Sequence, residues 1–155
     1  MENLLKFKPE DQNNELAKVT PPKYEGDIGF DLPVVEACVI PEGQQATIPC
    51  RLSIELPPGK SALVLGRSSS NAARLLVWPA VIDNGYRGPM YIFVTNLSPR
   101  QILVKPGERI AQIVLIDNPG PVHVVKSDSL SETDRGRNGF GSSGGRPQAT
   151  GTRGL

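Results

Sequence analysis

The residues best suited to chemistry lie in Ala80 to Gly88, AVIDNGYRG, where a carboxylate and a phenol stand close together. Three apolar residues run into Asp83. Asn84-Gly85 is the dipeptide that best tolerates the positive φ angles of a tight turn, and Tyr86-Arg87 then starts a return strand. This pattern predicts a hairpin with Asp83 and Tyr86 at its tip. Two uses stay open on local pattern: Asp83 as a turn-forming residue with Tyr86 packed on a neighbouring strand, or both as parts of a site.

Other stretches also carry chemical groups. Gly66-Arg67-Ser68-Ser69-Ser70 precedes the one candidate helix, so its hydroxyls serve either as N-caps or, beside an arginine and free amides, as an anion site. Gly29-Phe30-Asp31-Leu32 sets a carboxylate in an apolar segment, where a strand-end turn also accounts for it. Gly107-Glu108-Arg109-Ile110-Ala111-Gln112 puts Arg109 and Gln112 at the start of a buried strand, and a structural ion pair is the expected use of Arg109. His123 alternates with valines and is expected on a strand face; as the single histidine, it gives a histidine triad or a multi-histidine metal centre little to stand on. From Ser127 the apolar residues almost vanish, and RGRNGFGSSGGRPQATGTRGL fits a disordered tail, an Arg-Gly contact to RNA, or an arm that folds over a ligand. In the last case glycine amides approach phosphate oxygens, Arg135 and Ser142 donate, and Phe140 stacks on a base.

Composition sets the frame that must position these groups. The 155 residues suit one domain with its own core, and a formal charge of +1 offers no broad attraction to nucleic acid or acidic membranes. Sixteen glycines and fifteen prolines favour turns and short strands. Cys38 and Cys50 lack CxxC spacing, so reduced core-filling thiols are expected rather than zinc or a disulfide framework. The N-terminus MENLLKFKPED has no apolar run of signal length, and nothing approaches the roughly 18 apolar residues of a membrane span. The expectation is a soluble intracellular protein.

Along the chain, Leu5 and Phe7 alternate with lysines in a first strand, and Cys38 to Ile40 form a buried one. Leu52, Ile54 and Leu56 share one face of Arg51 to Leu56. Pro58-Gly59 and Pro106-Gly107 fit the centres of type II turns, followed by strands at Ala62 to Leu65 and Ile110 to Ile116. Met90 to Leu97, Ile102 to Val104 and Val122 to Val125 complete the strands, and Asn71 to Leu76 invites one short helix. The class is all-β, a sandwich or barrel: a β domain over residues 1–126 and a flexible Gly/Ser/Arg-rich arm over 127–155.

In order, GFDL at 29–32, GRSS at 66–69, AVIDNGYRG at 80–88, GERIAQ at 107–112 and RGRNGFGSSG at 135–144 resemble the five motifs of the trimeric dUTPase family. The resemblance implies a jelly-roll-like subunit, a homotrimer with active sites shared between subunits, and an arm closing over a neighbour. It implies hydrolysis of dUTP to dUMP and pyrophosphate, which limits uracil in DNA and supplies dUMP for dTMP synthesis. Asp83 would be the general base that activates water for attack on the α-phosphorus. Backbone groups around Val81, Ile82 and Asn84 would pair with the uracil edge, and Tyr86 would lie on the deoxyribose and exclude a 2′-hydroxyl. Arg67, Ser68, Ser69 and Gln112 would hold phosphate oxygens, and Asp31 would grip, through water, a Mg²⁺ bound mainly by the triphosphate. Phe140 would stack on uracil while Arg135, Gly141, Ser142 and Ser143 meet the terminal phosphate. A cytoplasmic location, or the host interior for a virus, goes with this activity.

The chain departs from the family pattern at three places. Ala80 replaces a usual glycine, Pro89 a frequent acid, and Val77-Trp78 occupy the neighbourhood of a common asparagine six residues before the catalytic Asp. dCTP deaminase looks similar but needs a glutamate on the strand after the hairpin, and MYIFVTNLS at 90–98 has no acid. A noncatalytic nucleotide-binding trimer is a rival of another class, to be separated by whether Asp83→Asn abolishes a reaction. A purely structural trimer would have no use for Asp83, Tyr86 and Phe140 together.

Overall fold

The computed structural model describes residues 3–138. The described residues up to Pro121 make one compact unit, and those from Val122 onward belong to a second. Ten strands and one helix lie in the first: β1 Lys6–Pro9, β2 Gly29–Asp31, β3 Cys38–Ile40, β4 Gln45–Glu55, β5 Lys60–Gly66, α1 Ser68–Ala72, β6 Leu75–Val77, β7 Ala80–Ile82, β8 Pro89–Asn96, β9 Ile102–Val104 and β10 Ala111–Asp117. Two four-stranded sheets, β1-β4-β8-β6 and β2-β10-β5-β7, enclose the core, and β3 pairs with β9 apart from them. All pairings are antiparallel.

The alternation in β4 does what it promises. Leu52, Ile54 and the following Leu56 are buried, and they meet Ile92 and Val94 of β8 and Val64 and Ile113 of the other sheet in one apolar cluster. Both Pro-Gly turns also form: Lys60 N–H donates to Pro57 O at 3.2 Å around Gly59 at φ +71°, and Glu108 N–H to Lys105 O at 3.1 Å around Gly107 at φ +87°.

Besides β3, whose Val39 is 55% exposed rather than buried because the strand pairs only with β9 apart from the two sheets, three local expectations fail. The helix runs Ser68–Ala72 rather than 71–76, because Arg74 turns left-handed at φ +57° and Leu75–Val77 then pairs with β8, burying Leu75 and Val77. Val122–Val125 forms no strand, and His123 with it lies on no strand face: after β10, Pro119 and Pro121 withhold ladder donors, and Val124 is 95% exposed. The third is the hairpin. β7 pairs with β5 alone and β8 with β4 and β6, so the two strands around Asn84-Gly85 belong to different sheets, and the return strand begins at Pro89. Neither Asn84 nor Gly85 takes a positive φ, and turns of that kind splay the strands they join.

Candidate active site

The splayed strands create the site. β7 uses only one edge in its ladder with β5, and Pro89 to Phe93 of β8 pair only with β4, since β6 joins β8 at Val94. Two backbone edges without a ladder partner among the described residues therefore flank a cleft of about 240 Å³. Ala80 to Asp83 line one side, Met90, Tyr91 and Phe93 the other, and Tyr86 lies at the turn. The cleft ends where Trp78 N–H donates to Phe93 O at 2.8 Å. Tyr91 and Phe93, with ring centroids 6.4 Å apart, make an aromatic wall that motif reading missed. Strand alternation could have found them, because Met90, Ile92 and Val94 go to the core and leave the aromatics on the opposite face.

A dense set of bonds holds the turn. Tyr86 N–H donates to Asp83 O at 3.0 Å, and the Tyr86 hydroxyl to Pro89 O at 2.9 Å. The Asn84 side-chain amide reaches out of the turn to Pro57 O at 2.8 Å and Lys60 O at 2.7 Å, a role the motif reading did not anticipate. Arg87 Nη1 donates to Asn84 O at 2.7 Å and Tyr86 O at 2.9 Å. Gly88 leaves the ring its room here, because a Cβ on it would stand 2.5 Å from the Tyr86 hydroxyl. The Asp83 carboxylate is exposed at the cleft, outside every ion pair among the described residues.

A second cluster gathers Asp31, Arg67, Arg109 and Gln112. Pairing of β2 and β5 on either side of β10 sets Asp31 opposite Gln112 and Gly66 opposite Ala111. Asp31, 8% exposed, is neutralised by Arg67 Nε at 3.2 Å from Oδ1 and Arg109 Nη1 at 3.4 Å from Oδ2. Arg109 thus makes the structural ion pair expected of it. Gln112 Nε2 donates to Gly66 O at 3.2 Å, and its Oε1 would sit 1.8 Å from a Cβ at position 29, which explains Gly29. Ser68 and Ser69 open α1, but the hydroxyl in structural use is that of buried Ser70, which donates to Ile110 O at 2.7 Å. Both Asp31 oxygens are held by arginines, so the carboxylate offers Mg²⁺ no direct ligand and could meet only one of its waters; among the described residues no cluster of three or more ligating side chains forms a cage.

No residue lines both the cleft and the pockets beside Asp31 and Arg109. A larger groove, about 720 Å³ along β1 and the end of β4, shares only Arg87 with the motifs. Lys6 and Arg87 are both tied to Glu55 there, and the smaller cleft, which carries Asp83 and Tyr86, is the better candidate. Of the departures, Val77 is a core residue, Trp78 Nε1 donates to Thr95 Oγ1 at 2.8 Å, and Pro89 supplies the carbonyl that holds Tyr86. Arg135 lies in the second unit, its Nε donating to Asn138 O at 3.2 Å. Phe140, Gly141, Ser142 and Ser143 fall outside the described residues.

The family model of dUTPase matches residues 15–144. A deoxyuridine 5'-triphosphate nucleotidohydrolase of Crocosphaera subtropica is 40% identical over 131 residues, covering 79% of this chain and 89% of that protein. One from Chlamydia pneumoniae is 35% identical over 139 residues, covering 86% and 94%. Among solved structures, the dUTPase of Staphylococcus bacteriophage 80alpha with dUPNHPP superposes at a TM-score of 0.78 with 25% identity, covering 92% of this chain and 99% of that one.

Proposed function

The chain belongs to the dUTPase family of hydrolases, and from that premise we propose that it cleaves dUTP to dUMP and pyrophosphate. The observation that carries the reading is the splayed β7–β8 cleft, with Asp83 and Tyr86 where its strands diverge. Free backbone groups around Val81, Ile82 and Asn84 pair with the uracil edge, and a 5-methyl group or a 4-amino group is refused by fit and by unpaired partners. Tyr86, fixed through its hydroxyl to Pro89, lies against the deoxyribose. Asp83 accepts the proton of a water whose oxygen bonds to the α-phosphorus as the bond to the pyrophosphate oxygen breaks.

Arg67, Ser68, Ser69 and Gln112 hold phosphate oxygens. Asp31 would hold one water of a Mg²⁺, which when bound would supply neutralisation of the phosphate charge. Neither Asp31 nor Arg67 lines the cleft, and in the homotrimer of this reading the complete site joins groups of different subunits. The arm then closes with Phe140 on the base and Arg135, Gly141, Ser142 and Ser143 on the terminal phosphate. In the cytoplasm, or inside a host cell, this keeps uracil out of DNA and feeds dTMP synthesis.

The test incubates the protein and Mg²⁺ separately with dUTP, dCTP, dTTP and UTP. Formation of dUMP and pyrophosphate from dUTP alone is expected. Conversion of dCTP would replace the reading with a deaminase, and no turnover at all with a nucleotide-binding protein.

A further inference from the structure

The usual reason for Asn in a two-residue turn is tolerance of positive φ, and Asn84 does not adopt it. Its side chain explains the residue instead. One half-buried amide donates both hydrogens to two carbonyls, Pro57 O and Lys60 O, of the turn joining β4 to β5. That turn passes from the first sheet to the second, and the Asp83–Gly88 connection passes back from the second to the first. Asn84 therefore staples two sheet-crossing connections to each other beside the cleft.

We infer that Asn84 is a positioning residue whose side-chain staple sets the opening of the base cleft. The connection to the site is short. Asp83 precedes Asn84 directly, and Arg87 Nη1 bridges Asn84 O to Tyr86 O, so a shift of Asn84 moves the carboxylate and the phenol together. The Pro57–Lys60 turn is a firm anchor, closed by its own hydrogen bond and set by Gly59 in the left-handed region. The inference rests on the reading that the cleft receives the uracil base. It adds that the clearance against larger bases is controlled from outside the cleft, by a side chain that does not touch the base.

The experiment uses the full chain with Asn84→Ala, Asn84→Asp and Asn84→Gln. Loss of both bonds in Asn84→Ala is expected to speed amide exchange across Asp83–Gly88 about tenfold, with β4 and β8 unchanged, since two net hydrogen bonds are worth about that factor. The kcat/KM for dUTP falls about tenfold, and its ratio over dTTP narrows because the cleft opens. Asn84→Asp, which sets a carboxylate against two carbonyls, goes further the same way. Asn84→Gln keeps both donors and recovers part of the ratio, and it decides the matter if Asn84→Ala does not fold. An unchanged dUTP to dTTP ratio in the donor-free variants overturns the inference. Faster exchange at the turn in a protein whose wild type turns over no dUTP leaves the staple standing and removes the dUTPase reading.

Discussion

Gly88→Ala tests the placement of Tyr86 without touching the ring. The added Cβ would lie 2.5 Å from the Tyr86 hydroxyl oxygen, 2.6 Å from Cζ and 2.9 Å from Cε2. Carbon contacts are comfortable from about 3.5 Å, so the ring must withdraw by about 1 Å, which breaks its 2.9 Å bond to Pro89 O. That bond contributes about 1 kcal/mol net. Tyr86 is 41% exposed and can move into solvent, and Ala also narrows the unfolded ensemble by about 0.4–1 kcal/mol. Stability therefore stays within about 1 kcal/mol of wild type. Activity does not, because displacing a positioning group by about 1 Å can cost on the order of 100-fold. In a pyrophosphate-release assay kcat/KM for dUTP should fall between about 10-fold and 100-fold, and the preference for dUTP over UTP should shrink. Tyr86→Phe keeps the ring and loses only the hydroxyl, so its loss stays below about tenfold. A Gly88→Ala enzyme with wild-type kcat/KM, or one no worse than Tyr86→Phe, would refute the reasoning.

Asp83→Asn removes the proton acceptor with little change in shape, so kcat should drop by about 10²–10⁴-fold while the melting temperature holds; retained turnover would dismiss Asp83 as the base. Asn96→Leu strips the donor from Ile40 O, 2.9 Å away, and from Arg100 O, 2.7 Å away, and denaturant melts should show a loss of about 1–3 kcal/mol. Burial pushes the Cys50 thiol from 9.0 up to about 12, so its contribution is intact below pH 9 and is lost as pH rises towards 12. Alkaline melts of Cys50→Ala should lack that part of the decline, and thiol reagents at pH 8 should leave Cys50 unmodified in the folded protein. Truncation after Asp134 should keep the far-UV spectrum of the strands and lose most dUTPase activity; full turnover would exclude the closing arm.

Much of the fold could be read locally because its causes are local. Alternation in Arg51 to Leu56 needs only one buried face, and a Pro-Gly pair carries its turn geometry in its own torsions, so β4 and the turns at Gly59 and Gly107 came out as expected. Motif order likewise pointed to the family, because residue types at fixed spacing survive where pairwise identity is modest. What stayed hidden depends on partners distant in the chain. Asn-Gly between apolar runs signals a hairpin, yet β5 claims β7 and β4 claims β8, so the strands separate and the separation becomes the cleft. Leu75 and Leu76 suit a helix until β8 offers a ladder. Asp31 in a strand gives no sign that Arg67 and Arg109 will flank it, since β10 alone brings all three together. Sequence determined which groups the protein owns and the class of fold that carries them. Only tertiary pairing decided which backbone edges stay free, and in this chain those edges form the cleft between β7 and β8.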